Sequence, residues 1–343
     1  MRIPATYSIQ PRTFHFRQPA GTSRGVYTTR KSWMLTLKTA DGTEGKGECA
    51  PLPDLSCDWL PDYEEKLQRF CQLLIEKGSI PVAEMLPYPS MLFGMETAML
   101  HLQRGSAALL DTPWSRGEEG IPMNGLVWMG RIDEMMARIQ QKLDEGFRCI
   151  KLKIGALGWK EETAMLQRIR REYVKEEVEL RVDANGGFLP NEAPDVLEVL
   201  AAYGVHSIEQ PIRAGQWDEM ARLCRQSPVP IALDEELIGW HTRSERAHLL
   251  DHIRPSYIIL KPSLHGGMQG VREWVELASE RGIGSWITSA LESNVGLNAV
   301  AQLTASIYGP GISLPQGLGT GMLYTDNIPY PLEMRGQKLW FKP

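Results

Sequence analysis

The stretch CIKLKIG, residues 149–155, alternates apolar and polar side chains until a glycine stops it. Alternation at a period of two is the signature of a β-strand, so Lys151 and Lys153 project from the same face. Two ammonium groups side by side on a core strand repel each other. Short apolar runs of the same kind recur on both sides: PMNGLVW (122–128), ELRVDANGG (179–187), HSIEQP (206–211), IALDEE (231–236), YIILKP (257–262) and GSWITSA (284–290). Helix-like segments such as RIDEMMARIQQKLDEG (131–146) and MQGVREWVELASERG (268–282) separate them. Strands alternating with helical patterns imply βαβ units and a parallel sheet. Seven such units, with GISLPQGLG (311–319) as an eighth strand, predict a closed α/β barrel of the TIM type over residues 120–320. No GxGxxG follows the first strand, which disfavours an open dinucleotide-binding sheet.

Residues 1–110 have a different texture. KSWMLTLKTADGTEGKGECAPL (31–52) places an Asp-Gly turn between two strand patterns, and DYEEKLQRFCQLLIEKG (62–78) and MLFGMETAMLHLQRGSAALL (91–110) are helical in period. An N-terminal α+β capping domain is therefore expected before the barrel, with the tail 321–343 returning to complete it.

The 343 residues are 43% hydrophobic and 23% charged, ordinary for a globular protein, and the net charge of −5 disfavours a general nucleic-acid binder. Five scattered cysteines without a CxxC pair disfavour a disulfide scaffold or a zinc cluster. No signal-peptide h-region and no membrane-length apolar run is found, so a cytoplasmic location without a membrane partner is expected. The oligomeric state is not legible.

Charged residues then fall at the predicted strand ends: Lys153, Asp183, Glu209, Asp234 and Lys261, in steps of 30, 26, 25 and 27 residues. Barrel active sites are built at the C-terminal ends of strands. One acidic residue there is ordinarily just solvated; five charges in phase with the repeat are not so explained. Three carboxylates on adjacent strands repel unless a hard divalent cation binds them, and oxygen-only ligation favours Mg²⁺, with Mn²⁺ as a substitute, over zinc. Asn185, two residues past Asp183 on the same face, is an expected neighbour of the ion or the substrate. His265, in a loop, is expected at the surface, and Glu235 is expected to point out of the barrel. Neither GxSxG nor HExxH occurs, so nucleophile-elbow hydrolases and zincins have no foothold.

The KxK strand, the three carboxylates and the sixth-strand lysine resemble the muconate-lactonizing-enzyme-like subgroup of the enolase superfamily. GECAPLPDLS (47–56), MNGLVW (123–128), ITSALESNVG (287–296) and PQGLGTG (315–321) are most similar to the o-succinylbenzoate synthase family, although Gln316 stands where that pattern has histidine. The resemblance implies a modified (β/α)7β barrel with an N-terminal cap. It also implies a Mg²⁺-dependent carbon–oxygen lyase of menaquinone biosynthesis, acting on a cyclohexadiene carboxylate that carries a succinyl group and a hydroxyl. Lys153 would take the proton α to the carboxylate. With an unperturbed lysine titrating near ~10.4, burial and the Lys151 ammonium are expected to lower Lys153 toward ~7–8. Lys261, across the substrate, would stay cationic and stabilise the enediolate. Thr288 and Ser289 are expected to donate to the succinyl carboxylate, and loops 19–30 and 50–56 to close over the substrate. A racemase or epimerase using Lys153 and Lys261 on opposite faces is the alternative on the same residues, and a non-catalytic carboxylate-binding barrel is the remote one.

Overall fold

The computed structural model describes residues 2–22, 25–155 and 158–343. Its first strands, β1 (Thr6–Thr22), β2 (Gly25–Lys38) and β3 (Glu44–Cys49), form an antiparallel sheet in that order. Trp33, Leu35 and Leu37 of β2 are buried at every second position, which makes one face of the sheet apolar. Helices α1 (Tyr63–Lys77), α2 (Val82–Met85) and α3 (Pro89–Arg104) cover that face. Leu67, Phe70, Cys71 and Leu74 form the buried stripe of α1, and Gly78, with φ 68°, ends it by donating its N–H to the Leu74 carbonyl at 2.8 Å. α3 lies directly on β3, because Gly47 and Gly94 lack side chains at the crossing.

The stretch 19–30, expected as a loop, is instead mostly the end of the β1–β2 hairpin, with Ala20 opposite Tyr27 and Thr22 opposite Gly25. Residues 23 and 24 of that stretch lie outside the described residues. The alternation that marks β2 farther along is weak here, so the strand character comes from pairing.

After a short strand β4 (Ile121–Pro122), seven β–α units follow: β5 (Gly125–Val127) with α4 (Ile132–Asp144), β6 (Cys149–Lys153) with α5 (Trp159–Glu172), β7 (Glu179–Asp183) with α6 (Ala193–Ala202), and β8 (Ser207–Glu209) with α7 (Trp217–Gln226). The last three are β9 (Ile231–Leu233) with α8 (Arg243–Ile253), β10 (Tyr257–Leu260) with α9 (Gly267–Ser279), and β11 (Gly284–Ile287) with α10 (Asn294–Tyr308). The strands are parallel and pair in chain order from β5 to β11. Two parallel bridges, Met123 with Gln316 and Thr288 with Gly317, join both edges to residues 316–317. That closing segment makes the fold the expected (β/α)7β barrel. Gln316 is buried in it: its Oε1 accepts the Ile287 N–H and its Nε2 donates to the Leu314 carbonyl, each at 2.8 Å.

Alternate strand residues divide between two environments. Ile150, Leu152, Leu180, Val182, Ile208, Ile231, Leu233, Ile258 and Leu260 belong to the apolar core beneath the helices. The intervening positions face the barrel axis, where Arg181 stacks on Trp286, and Ala232 and Ile259 pack with that tryptophan as the floor. The tail divides as well. The Arg17 N–H donates to the Leu323 carbonyl and the Thr325 N–H to the His15 carbonyl, so 323–325 run along β1. The hairpin β12 (Leu332–Arg335) and β13 (Lys338–Phe341) pairs instead with β4. Among the described residues no helix is long and apolar enough to cross a membrane.

Two glycines in the N-terminal layer should differ sharply on mutation. A Cβ at Gly47 would fall 1.9 Å from the Gly94 carbonyl oxygen, a backbone atom that cannot swing aside. Gly47→Ala should therefore cost at least ~3 kcal/mol or prevent folding. At Gly78 nothing lies within 4 Å, so only the left-handed φ opposes alanine, a cost of ~1–2 kcal/mol. Denaturant unfolding of both variants checks the ranking.

Candidate active site

The ring order places β6 and β10 opposite each other, four positions apart in eight, with β7, β8 and β9 on the arc between. The two lysine-bearing strands thus face across the mouth while the three carboxylates line one side of it. Each charge sits where an inward-facing strand position meets the C-terminal end, the only place where barrel-facing side chains reach solvent on this face.

The charges interlock. Lys153 Nζ donates to Asp183 Oδ2 at 2.5 Å and to Asn185 Oδ1 at 2.8 Å. Lys151 Nζ lies 2.9 Å from the same Asp183 oxygen and pairs with Glu209 Oε2. Lys261 Nζ pairs with Asp234 Oδ2. All three carboxylates are buried. Burial opposes ionisation of Asp183, yet Lys151 and Lys153 outweigh it and hold that carboxyl well below the usual range. Asp234 is likewise held at about 2, against burial, chiefly by Lys261. Glu209 is pushed up, because burial and the Asp183 and Asp234 charges outweigh Lys151. Burial disfavours the ammonium of Lys151, but Asp183 and Glu209 more than compensate and keep it protonated. Lys151 is therefore charge-balanced by two carboxylates rather than standing bare beside Lys153, a point that strand periodicity could not supply.

The donor set suits a hard cation in chemistry: three buried carboxylates from adjacent strands, with Glu209 Oε1 and Asp234 Oδ1 making no hydrogen bond. Among the described residues, however, no three acidic, histidine or cysteine side chains stand at metal-holding spacing. Lysine ammonium groups occupy Asp183 Oδ2, Glu209 Oε2 and Asp234 Oδ2, and the Asn185 N–H donates to Asp183 Oδ1 at 3.0 Å. Cation binding and lysine pairing are thus competing uses of the same carboxylates.

Two neighbours differ from expectation. His265 is buried: its Nδ1 accepts the Lys261 N–H at 2.9 Å, and burial lowers its pKa to about 3, so it supports Lys261 as a neutral ring. Its reach back by four residues is a turn contact invisible to periodicity. Glu235 turns toward the site, where its Oε1 accepts from Asn185 Nδ2 at 3.0 Å. That contact orients the amide so that its oxygen meets Lys153, with Asn185 in a left-handed conformation at φ 45°.

Above the charges opens a cavity whose empty space, open mouth included, is about 900 Å³. Lys151, Lys153, Asn185 and Lys261 line it together with Thr288 and Ser289. Both hydroxyl protons are engaged within the protein. Thr288 Oγ1 donates to the Gly317 carbonyl at 2.9 Å, and Ser289 Oγ donates to Glu292 Oε2 at 2.5 Å while accepting from Thr320 Oγ1 at 2.6 Å. Leu52, Pro53 and Leu55 bring the 50–56 loop to the cavity, and Tyr27 brings the hairpin. Asn124, Leu126 and Trp128 also line it. Their period-two spacing on the first strand was a usable signal for them; Tyr27 had none. Gln316 closes the barrel behind the wall and is not among the lining residues.

Comparison with known proteins agrees with this fold. Residues 134–335 match the family described as Enolase C-terminal domain-like, and residues 22–102 match the MenC N-terminal domain. The chain is 46% identical to an o-succinylbenzoate synthase of Desulfotalea psychrophila (strain LSv54), over 94% of this chain and 95% of that one. The crystal structure of MenC from that organism superposes with a TM-score of 0.86 at 40% identity, covering 98% of this chain and 99% of that chain. The L-Ala-D/L-Glu epimerase of Bacillus subtilis shares the fold, with a TM-score of 0.83 at 19% identity over 99% of this chain and 96% of that one. The chain belongs to the o-succinylbenzoate synthase family of the enolase superfamily.

Proposed function

We propose that this chain dehydrates a succinyl-substituted hydroxycyclohexadiene carboxylate to o-succinylbenzoate, a step of menaquinone biosynthesis, with Lys153 as the base. The observation that carries the assignment of roles is the placement of Lys153 and Lys261 on opposite sides of one cavity beside three buried carboxylates. Asp183, Glu209 and Asp234 would hold a magnesium ion. When bound, the ion supplies positive charge next to the substrate carboxylate, where negative charge accumulates as the α-proton leaves.

The chain's own residues carry the proton chemistry. Lys153 Nζ, oriented by Asn185, takes the α-proton as the neutral amine and returns it to the departing hydroxyl, which leaves as water from the same face. Lys261, held by the His265 turn, keeps its charge over the opposite face and stabilises the developing enediolate and ring. Leu52, Pro53, Leu126 and Trp128 exclude water around the ring, and Thr288 and Ser289 wall the cavity by shape, their hydroxyl protons being engaged elsewhere. Gain of aromaticity drives the elimination forward.

The opposed lysines favour a second reading, since proton exchange between two faces needs that disposition. A racemase acting on N-acylamino acids is compatible with the cavity. A dipeptide substrate is less so: among the described residues no carboxylate lines the cavity to pair with an α-ammonium group, and three lysines do line it.

An ultraviolet assay with the cyclohexadiene substrate, run beside deuterium exchange into N-acylamino acids, separates the readings. Lys153→Ala should lose at least ~10³-fold in kcat for dehydration and all α-exchange on its face. Lys261→Arg keeps a cation but not the compact ammonium, so it should retain measurable dehydration and lose exchange between faces. Dehydration at the wild-type rate in Lys153→Ala would show that the base lies elsewhere. In a second test, chelation should abolish turnover and magnesium or manganese should restore it; full activity in excess chelator, with no metal bound, removes the ion from the account.

A further inference from the structure

The turn between β11 and α10, residues 288–293, walls the substrate cavity with Thr288, Ser289 and Leu291, yet it is not closed by its own backbone. The Ser289 N–H donates across to the Gly317 carbonyl at 3.0 Å, and the Ala290 N–H donates to Glu292 Oε2 at 2.6 Å. Leu291 sits at φ 64°, a left-handed conformation that a leucine keeps only where its surroundings impose it. The turn after β10, which carries Lys261, is built differently. There the Leu264 and His265 N–H groups both donate to the Lys261 carbonyl, at 2.8 and 2.9 Å, and the Gly267 N–H donates to the Pro262 carbonyl at 2.9 Å.

Each turn runs into a helix whose first N–H groups are received by a carboxylate from the N-terminal layers, half-buried in one case and fully buried in the other. Glu96 of α3 accepts from Met268 and Gln269 at the start of α9, at 2.6 and 3.3 Å. Glu48 of β3, fully buried, accepts from the Ser293 N–H at 3.0 Å, the Ser293 hydroxyl at 2.5 Å and the Gly296 N–H at 3.0 Å. A Cβ at Gly296 would stand 3.0 Å from Glu48 Oε2 and 2.6 Å from Glu292 Cβ, so glycine keeps the socket open. Both carboxylates receive the first N–H groups of a helix, but the turns before those helices differ. One turn is held by its own backbone, the other by side-chain contacts.

We propose that Glu48 is a positioning residue for substrate recognition: from the N-terminal sheet it fixes Ser293 and the first turn of α10, and through them the 288–292 wall of the cavity. Glu48 does not touch substrate and acts on no proton. Glutamine in its place accepts at one position and sets an amide N–H₂ against a backbone or hydroxyl donor at the other. One buried hydrogen bond is lost and the wall shifts. Lys153, Lys261 and the three carboxylates stand on other strands, so the chemical step is spared.

The proposal rests on the dehydratase reading, and its test uses the full-length, magnesium-loaded protein with the cyclohexadiene substrate. Glu48→Gln and Gly296→Ala should each raise KM roughly tenfold with kcat within about threefold of wild type. Glu96→Gln, which removes the matching contact from the self-closed turn, should lower Tm comparably and leave KM unchanged. A wild-type KM in Glu48→Gln, or equal KM increases in Glu48→Gln and Glu96→Gln, overturns the proposal. If Glu48→Gln does not fold, Gly296→Ala decides alone, and an unchanged KM there overturns it. A wild-type chain that does not turn over the diene overturns the dehydratase reading itself, a result distinct from unchanged variants of an active enzyme.

Discussion

Six ionisable groups, three lysines and three carboxylates, stand together at one end of this barrel with little access to water. Burying any one of them alone would be prohibitive, since desolvating a charge costs several kcal/mol even after relaxation. They are tolerated because each is answered by a charge of opposite sign, in the order Lys153, Asp183, Lys151, Glu209, the last pair reaching across β7, with Lys261 and Asp234 forming a separate pair. The barrel's register enforces that order: Lys153 lies opposite Asp183, and Asp183 opposite Glu209, in adjacent parallel strands. Slipping one strand by a residue would turn its charges into the apolar layer beneath the helices. The architecture and the chemistry are thus specified by the same period of two.

That coupling explains what the sequence made legible. Strands that must be apolar on one face and charged at one end on the other leave a pattern in CIKLKIG, ELRVD and YIILKP, and the pattern locates the fold and the charged set together. Side-chain direction at the strand ends left no such pattern. Glu235 turns toward Asn185 and His265 toward the Lys261 amide because of local turns, and the hydroxyls of Thr288 and Ser289 serve the barrel's own closure. Gln316, a departure from the family pattern, is a buried residue whose amide joins β11 to the closing segment. The split tail depends on pairing between distant segments, and the 19–30 hairpin on pairing across a turn without the alternation that marks β2 farther along.

The N-terminal layers contribute to the site at two depths. Tyr27, Leu52, Pro53 and Leu55 reach the cavity directly. Beneath them, buried Arg30 donates to the Ala50 carbonyl at 2.6 Å and the Pro51 carbonyl at 2.5 Å, fixing the base of the loop that carries those contacts. Glu48 and Glu96 extend the same layers into the first turns of α10 and α9. On the proposed reading these layers serve recognition, while the lysines and carboxylates are carried by the barrel strands and the turns that follow them.

On the proposed reading the lysines and a divalent cation compete for one set of carboxylates. Thermal unfolding of Lys151→Met, after chelation and after magnesium is restored, tests it most directly. Removing Lys151 leaves Glu209 without an ammonium partner and Asp183 with Lys153 alone, and an uncompensated buried charge is worth about 3–5 kcal/mol. The chelated variant should therefore melt well below chelated wild type, and magnesium should raise its Tm by more than it raises that of wild type. Equal magnesium-induced shifts in the two proteins would contradict the account.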